Sequence, residues 1–193
     1  MSENEKSTNQ DKPLNRYDHA SFENFRSVNE RAEHCLNTCV NYVAEWDLHR
    51  QSGTGLIMCG RPGTGKTHLS IAIARSVEPY GKVLRTSPQR IVRAFRRTWN
   101  QEGDFTETEV LEIYAHCDLL IIDEIGVQYA SQSERNILFE IINERYEWML
   151  PTILISNFPD SQLDDFLGAR AMDRMLSVNE LLAFDWESQR GQA

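Results

Sequence analysis

Long apolar stretches are missing from this sequence. A membrane-spanning helix needs about 20 consecutive apolar residues, and the longest runs here, such as "LIMC" and "LLII", fall far short. The opening "MSENEKSTNQDKPLNRYDHA" has no apolar segment either, so it does not read as a secretory signal. Both absences point to a cytoplasmic protein without membrane contact. Positive charge is in deficit, with 20 Lys and Arg against 29 Asp and Glu and a formal net charge of −9. That balance argues against a protein that coats nucleic acid with its whole surface, and leaves room only for a local basic patch. Cysteine is scarce: Cys35, Cys39, Cys59 and Cys117 form no close Cys or Cys-His sets of the zinc-binding kind. They read as buried thiols in a reducing compartment, with a redox role as the alternative.

What is present suits one soluble domain. The 193 residues suffice for a single proper core, and the 40% hydrophobic and 25% charged content is that of an ordinary globular chain. Residues 1–20 are polar, aperiodic and carry Pro13, and read as a disordered arm ahead of a domain over 21–193. Apolar residues at three- and four-residue steps (Ala32, Cys35, Leu36, Cys39, Val40, Val43, Trp46) predict one amphipathic helix from Ser27 to about Arg50. Strands are expected at 55–59, 82–86, 118–122, 152–156 and 181–184. Helices are expected at 67–78, 88–99, 107–116, after Ser131, and at 161–175. Thr106/Glu109 and Ser131/Glu134 have capping-box spacing. Strands alternating with helices indicate an α/β fold, a parallel five-stranded sheet between helices.

The first strand ends in "CGRPGTGKTH", in which Gly60, Gly65, Lys66 and Thr67 complete the P-loop spacing between a strand and a helix. The chemistry needs each residue type. Glycines let the backbone wrap a phosphate with its N–H groups turned inward, and the next helix adds its positive end. Lys66 can reach the β- and γ-phosphates, and the Thr67 hydroxyl can ligate Mg²⁺. The expected nucleotide-binding residues are Gly60, Arg61, Pro62, Gly63, Thr64, Gly65, Lys66, Thr67 and His68, with ATP and Mg²⁺ as cofactors.

"LLIIDEIGVQ" then ends a buried strand in two carboxylates, which is costly unless a cation compensates. Asp123 would face the Mg²⁺ held by Thr67, making these two the metal residues. Glu124 would take the proton of the attacking water, which favours hydrolysis over transfer to a bound acceptor. "KVLRT" intervenes in the chain between these two strands, suggesting the P-loop division, called ASCE, in which another strand separates them in the sheet. Asn157, ending the "TILIS" strand, reads as a ligand of that water or of the γ-phosphate, or as a turn residue.

Between Pro79 and Gln101 there is no carboxylate, yet Lys82, Arg85, Arg90, Arg93, Arg96 and Arg97 all occur. On the helix 88–99, Ile91, Val92, Phe95 and Trp99 make the buried stripe, and Arg90, Arg93 and Arg97 follow on another face. Such a row suits a nucleic-acid backbone, with Arg96 beside it and Trp99 or Phe95 able to stack a base if exposed. A solvated face, or pairing with acids of another subunit, explains it equally.

Together, "GRPGTGKTHL", "DLLIIDEIGVQ", "PTILISN" and "GARAMDRML…FDWES", with "SFENF" as lead-in, resemble the AAA+ ATPase domain of DnaC-type replicative helicase loaders. IstB-type transposition helper ATPases are close cousins. The resemblance covers roughly 21–188 and implies an AAA+ P-loop NTPase of the ASCE type without a C-terminal lid domain. It makes Lys66 and Thr67 Walker A, Asp123 and Glu124 Walker B, and Asn157 sensor 1. Arg170 and Arg174 become candidates for an arginine finger reaching a neighbour's γ-phosphate, with Arg174 matching better. It further implies self-assembly through the ATP site, single-stranded DNA contact near the basic helix, and a replicative DNA helicase as partner. The family's separate helicase-gripping region has only about 20 polar residues to match it here. A transposition helper on duplex DNA, or a nucleotide-gated helicase regulator with little turnover, are the other functions such a chain could serve.

Overall fold

The computed structural model describes residue 17 and residues 19–100, 105–126 and 131–191; most of the arm expected over 1–20 lies outside them. Two helices open the described fold, α1 (Glu30–Ala44) and α2 (Trp46–Ser52), followed by β1 (Leu56–Gly60) and α3 (Lys66–Val77). Then come β2 (Val83–Thr86), α4 (Pro88–Trp99), α5 (Glu107–Ala115), β3 (Leu119–Ile125), α6 (Gln132–Glu147) and β4 (Thr152–Ser156). Helices α7 (Leu163–Leu167) and α8 (Ala169–Val178) lead into β5 (Glu180–Phe184). The five strands form one parallel sheet in the order β2-β3-β4-β1-β5. The strand separating β1 from β3 is β4, while β2, the "KVLRT" strand, lies at the edge.

Period-two alternation sorts the strand residues onto two faces. Leu119, Ile121, Ile153, Ile155, Leu56 and Met58 pack with α1 and α3. Leu120, Ile122, Leu154, Ile57 and Cys59 pack with α4 to α8. Both faces are covered at the central strands β1, β3 and β4, whose middle residues are accordingly apolar. All four cysteines are buried free thiols. No helix among the described residues is long and apolar enough to cross a membrane.

Several element boundaries differ from expectation. The helix expected over 27–50 breaks at Glu45, because Tyr42 and Trp46 both turn inward. The Tyr42 hydroxyl donates to Thr54 O (2.9 Å) and its ring stacks on His49, so α2 starts on a new axis. Val40, counted on the apolar stripe, is exposed. The helix expected over 161–175 is two helices split at Gly168, each burying its own apolar set. Strand β3 continues past Ile122 through a bulge to Ile125, so the acid pair lies inside the strand. Both capping boxes form as the spacing predicts, at Thr106/Glu109 and Ser131/Glu134. Such caps contribute about 1 kcal/mol each.

Arg145 is fully buried, and among the described residues no carboxylate is hydrogen-bonded to it. Its guanidinium donates to the carbonyls of Tyr114, Ala115, Cys117 and Pro151 and to the Thr152 hydroxyl. These bonds satisfy the fork and tie α6 to the end of α5 and the starts of β3 and β4.

Candidate nucleotide site

The loop from Gly60 leaves the carboxyl edge of β1 and turns into α3, whose amino end carries no side-chain cap. Its first N–H groups are therefore available to an anion. Three loop positions require glycine, the first being Gly60 with φ 123° against the Phe184 backbone. Gly63 has φ 78° and Gly65 φ 102°. A Cβ on Gly63 would stand 2.1 Å from Ser188 Oγ, and one on Gly65 2.4 Å from Phe25 Cε2. Lys66 is 4% exposed, and its ammonium donates to Gly60 O (2.8 Å) and Arg61 O (2.6 Å). Desolvation pushes its pKa down to about 8; Asp123 opposes that shift and Arg190 adds to it. A buried ammonium bonded to neutral carbonyl and hydroxyl oxygens is poised for an anionic partner. Thr64 is buried and closes the turn with a bond to Arg61 O (2.8 Å), while Pro62 is exposed on the outer side.

Across the sheet, the Thr67 hydroxyl donates to Asp123 Oδ2 (2.9 Å). The other Asp123 oxygen accepts the Glu124 N–H (2.8 Å). Glu124 has φ 65° at the β3 bulge, a left-handed conformation that costs a side-chain-bearing residue and clusters at functional positions. Its side chain is exposed beside half-buried Asp123. Asn157 follows β4 next door, exposed, and Ser156 Oγ donates to Ile125 O (2.8 Å) to lock the two strand ends together. The N–H of Gly60 donates to Phe158 O (3.2 Å), so the ends of β1, β3 and β4 form one edge.

The donor set fits a polyphosphate with a hard divalent cation. Among the described residues there is no cluster of three or more His, Cys, Asp or Glu side chains able to hold a metal. Thr67 and Asp123 would thus supply two oxygens, with phosphate and water completing the shell, the pattern Mg²⁺ prefers.

The other candidates lie apart from this edge. Arg170 and Arg174 sit on α8, on the face of the sheet opposite α3. Arg174 stacks over the rings of Phe139 (5.0 Å) and Tyr146 (5.8 Å) of α6, and Arg170 is exposed one turn earlier. Arg90, Arg93, Arg96 and Arg97 are all exposed on α4, with Arg96 Nη2 bonded to Glu134 Oε1 at 3.0 Å. On this helix the expected buried stripe holds at Ile91, Val92 and Phe95 and fails at Trp99. Phe95 is fully buried and can stack no base, whereas Trp99, placed on the buried stripe, is 49% exposed with its indole N–H on Glu107 (3.3 Å). His68 points to the amino-terminal segment, its Nε2 donating to Ser21 O (2.7 Å) and its ring against Phe25 (5.8 Å).

Three contributors escaped the sequence reading as site residues. Tyr17 and residues 19–25 lie against α3, where Arg75 donates to the carbonyls of Tyr17 and Ala20. The segment after β5 crosses the phosphate loop, with Gln189 N–H on Gly63 O (2.9 Å) and Arg61 paired to Glu187. Arg85, counted only as part of the basic stretch, is lowered by desolvation and held up by nearby Asp123. Only "SFENF" and "FDWES" hinted at the first two, and neither showed what it touches.

With this geometry in hand, three comparisons bear on the chain. A family model described as "IstB-like ATP binding protein" matches residues 11–193. The replicative helicase loader DnaC of Escherichia coli (strain K12) is 36% identical over 178 residues, covering 91% of this chain and 71% of that protein. A solved structure titled as the DnaC helicase loader superposes with a TM-score of 0.78 at 24% identity, covering 89% of this chain and 99% of that one.

Proposed function

This chain belongs to the family of IstB-like ATP-binding proteins, and on that premise we propose that it is an AAA+ ATPase of DNA replication, acting as a helicase loader. The ATPase domain is assigned to residues 21–193. The name of the 36%-identical relative, a replicative helicase loader, supports the replication role. The observation that supports ATP chemistry most is the contact of Thr67 with Asp123 at 2.9 Å, beside a buried Lys66 that meets only carbonyl and hydroxyl oxygens.

In this reading the triphosphate lies over the uncapped end of α3. Lys66 exchanges the carbonyls of Gly60 and Arg61 for the β- and γ-phosphates. Thr67 and Asp123 would hold Mg²⁺, which when bound would neutralise charge on the phosphates. Glu124 accepts the proton of the attacking water, and Asn157 orients that water from the neighbouring strand end. Arg174, or Arg170 one turn away, reaches the γ-phosphate of an adjacent subunit; a guanidinium supplied in trans adds about 10³–10⁵ in rate where this device is used. Their position on the face opposite α3 favours action in trans.

Arg90, Arg93 and Arg97 on α4 are assigned to the backbone of single-stranded DNA; Arg96 joins them by exchanging Glu134 for a phosphate. Assembly is with further copies of this chain and with a replicative helicase. Action on duplex DNA as a transposition helper is the second reading, kept because the matching family model is described as IstB-like.

The test pairs two variants. Lys66→Ala should lose nucleotide binding, and Glu124→Gln should keep binding while losing hydrolysis. Wild-type turnover by Glu124→Gln would remove the base assignment. Preference for single- over double-stranded DNA, measured with ATP present, separates the loader from the transposition helper.

A further inference from the structure

The segment after β5 is pinned to the phosphate loop at successive residues. Phe184 O accepts the Arg61 N–H at 2.8 Å, Glu187 pairs with the Arg61 side chain, and Gln189 N–H donates to Gly63 O at 2.9 Å. Gln189 Nε2 donates to Arg26 O (3.0 Å), and Asp185 pairs with Arg31. The missing side chain of Gly63 is what admits the strap, since Ser188 Oγ and Arg190 Cγ lie 2.1 and 3.3 Å from where its Cβ would stand. Phe184 completes the wall, with the Lys66 ammonium 5.9 Å above its ring.

Charge is distributed unevenly along this strap. Both acids, Asp185 and Glu187, are neutralised by arginines. Arg190 is exposed, and among the described residues no carboxylate pairs with its guanidinium. Its backbone is nevertheless fixed, the N–H donating to Ser188 Oγ at 3.2 Å. Its side chain lies over the phosphate loop, with Cγ 3.3 Å from where a Gly63 Cβ would stand. Two cations held over one loop repel each other until an anion comes between them.

We propose that residues 185–190 form a strap of the nucleotide site and that Arg190 is a phosphate-binding residue, sharing the polyphosphate charge with Lys66. The proposal rests on the nucleotide reading above and adds to it a ligand from the far end of the fold. A planar guanidinium can take two phosphate oxygens at once, which suits a di- or triphosphate group. The strap thereby couples the shape of the loop, set at Gly63, to the charge of the ligand.

The test is equilibrium titration of the purified protein with fluorescently labelled ATP and ADP, read as affinity rather than turnover. Arg190→Ala should weaken both nucleotides roughly tenfold, the size of one charge-assisted bond, and Arg190→Lys should recover part of the loss. Because the side chain is exposed, thermal melting of both variants should match wild type. Affinity within twofold of wild type in Arg190→Ala, with wild type binding normally, would overturn the proposal. Failure of wild type itself to bind would reject the nucleotide reading, and the strap's role with it.

Discussion

Substituting Gly65 by alanine places two separable costs on the molecule. The first is conformational: at φ 102° an L-residue is strained, by about 1–2 kcal/mol for a left-handed backbone. The second is steric, because the new methyl would stand 2.4 Å from Phe25 Cε2, well inside ordinary contact. Moving a packed ring aside by that much costs about 1–3 kcal/mol. Gly65→Ala should therefore lose about 2–5 kcal/mol, a large share of the ~5–15 kcal/mol typical of a folded domain. Phe25→Ala alone should lose about 3 kcal/mol, the low end for a buried aromatic, since this ring lies at the protein's surface layer. In the double variant the clash has gone but the backbone strain has not. Urea unfolding of all four proteins should thus give a combined loss smaller than the sum by about 1–3 kcal/mol. Losses that add within about 0.5 kcal/mol would show that Phe25 does not lie against the loop, and would unseat the coupling between the 19–25 segment and the phosphate site.

Arg174→Ala should leave nucleotide binding by isolated subunits intact and lower only the hydrolysis that rises with protein concentration. Identical activity of variant and wild type at every concentration would rule out a finger in trans. The cysteines should be nearly inert in the native state. Burial raises Cys35 from 9.0 to about 11 and raises Cys39 further, so both stay protonated at pH 8. Their alkylation should be far slower than in the unfolded chain and should keep accelerating above pH 9, where an ordinary thiol levels off; rapid modification of all four thiols at pH 8 would contradict this.

Local spacing carries chemistry well because phosphate binding is itself local. Gly60 to Thr67 must follow one strand and open one helix, and the sequence order alone dictates that. The acid pair was legible for the same reason, as charge at the end of an apolar run. Its backbone was not, since nothing in "IIDEIG" marks Glu124 for a left-handed conformation at a bulge. The arginines show the limit most plainly. Arg145 and Arg96 both lie on helices, α6 and α4. One is fully buried because four carbonyls from other elements converge on it. The other meets Glu134, which the sequence had placed only in a capping box. Helical periodicity tells which side of an element faces inward, but the partner of a charge depends on which elements the sheet order brings together. Gly63 meets Ser188 and Arg190 only because β5 runs parallel beside β1 and delivers the following segment to the same edge. The shape of the phosphate site is therefore a consequence of strand order. A change that displaced β5 from β1 should disturb nucleotide binding even with every residue of the phosphate loop intact.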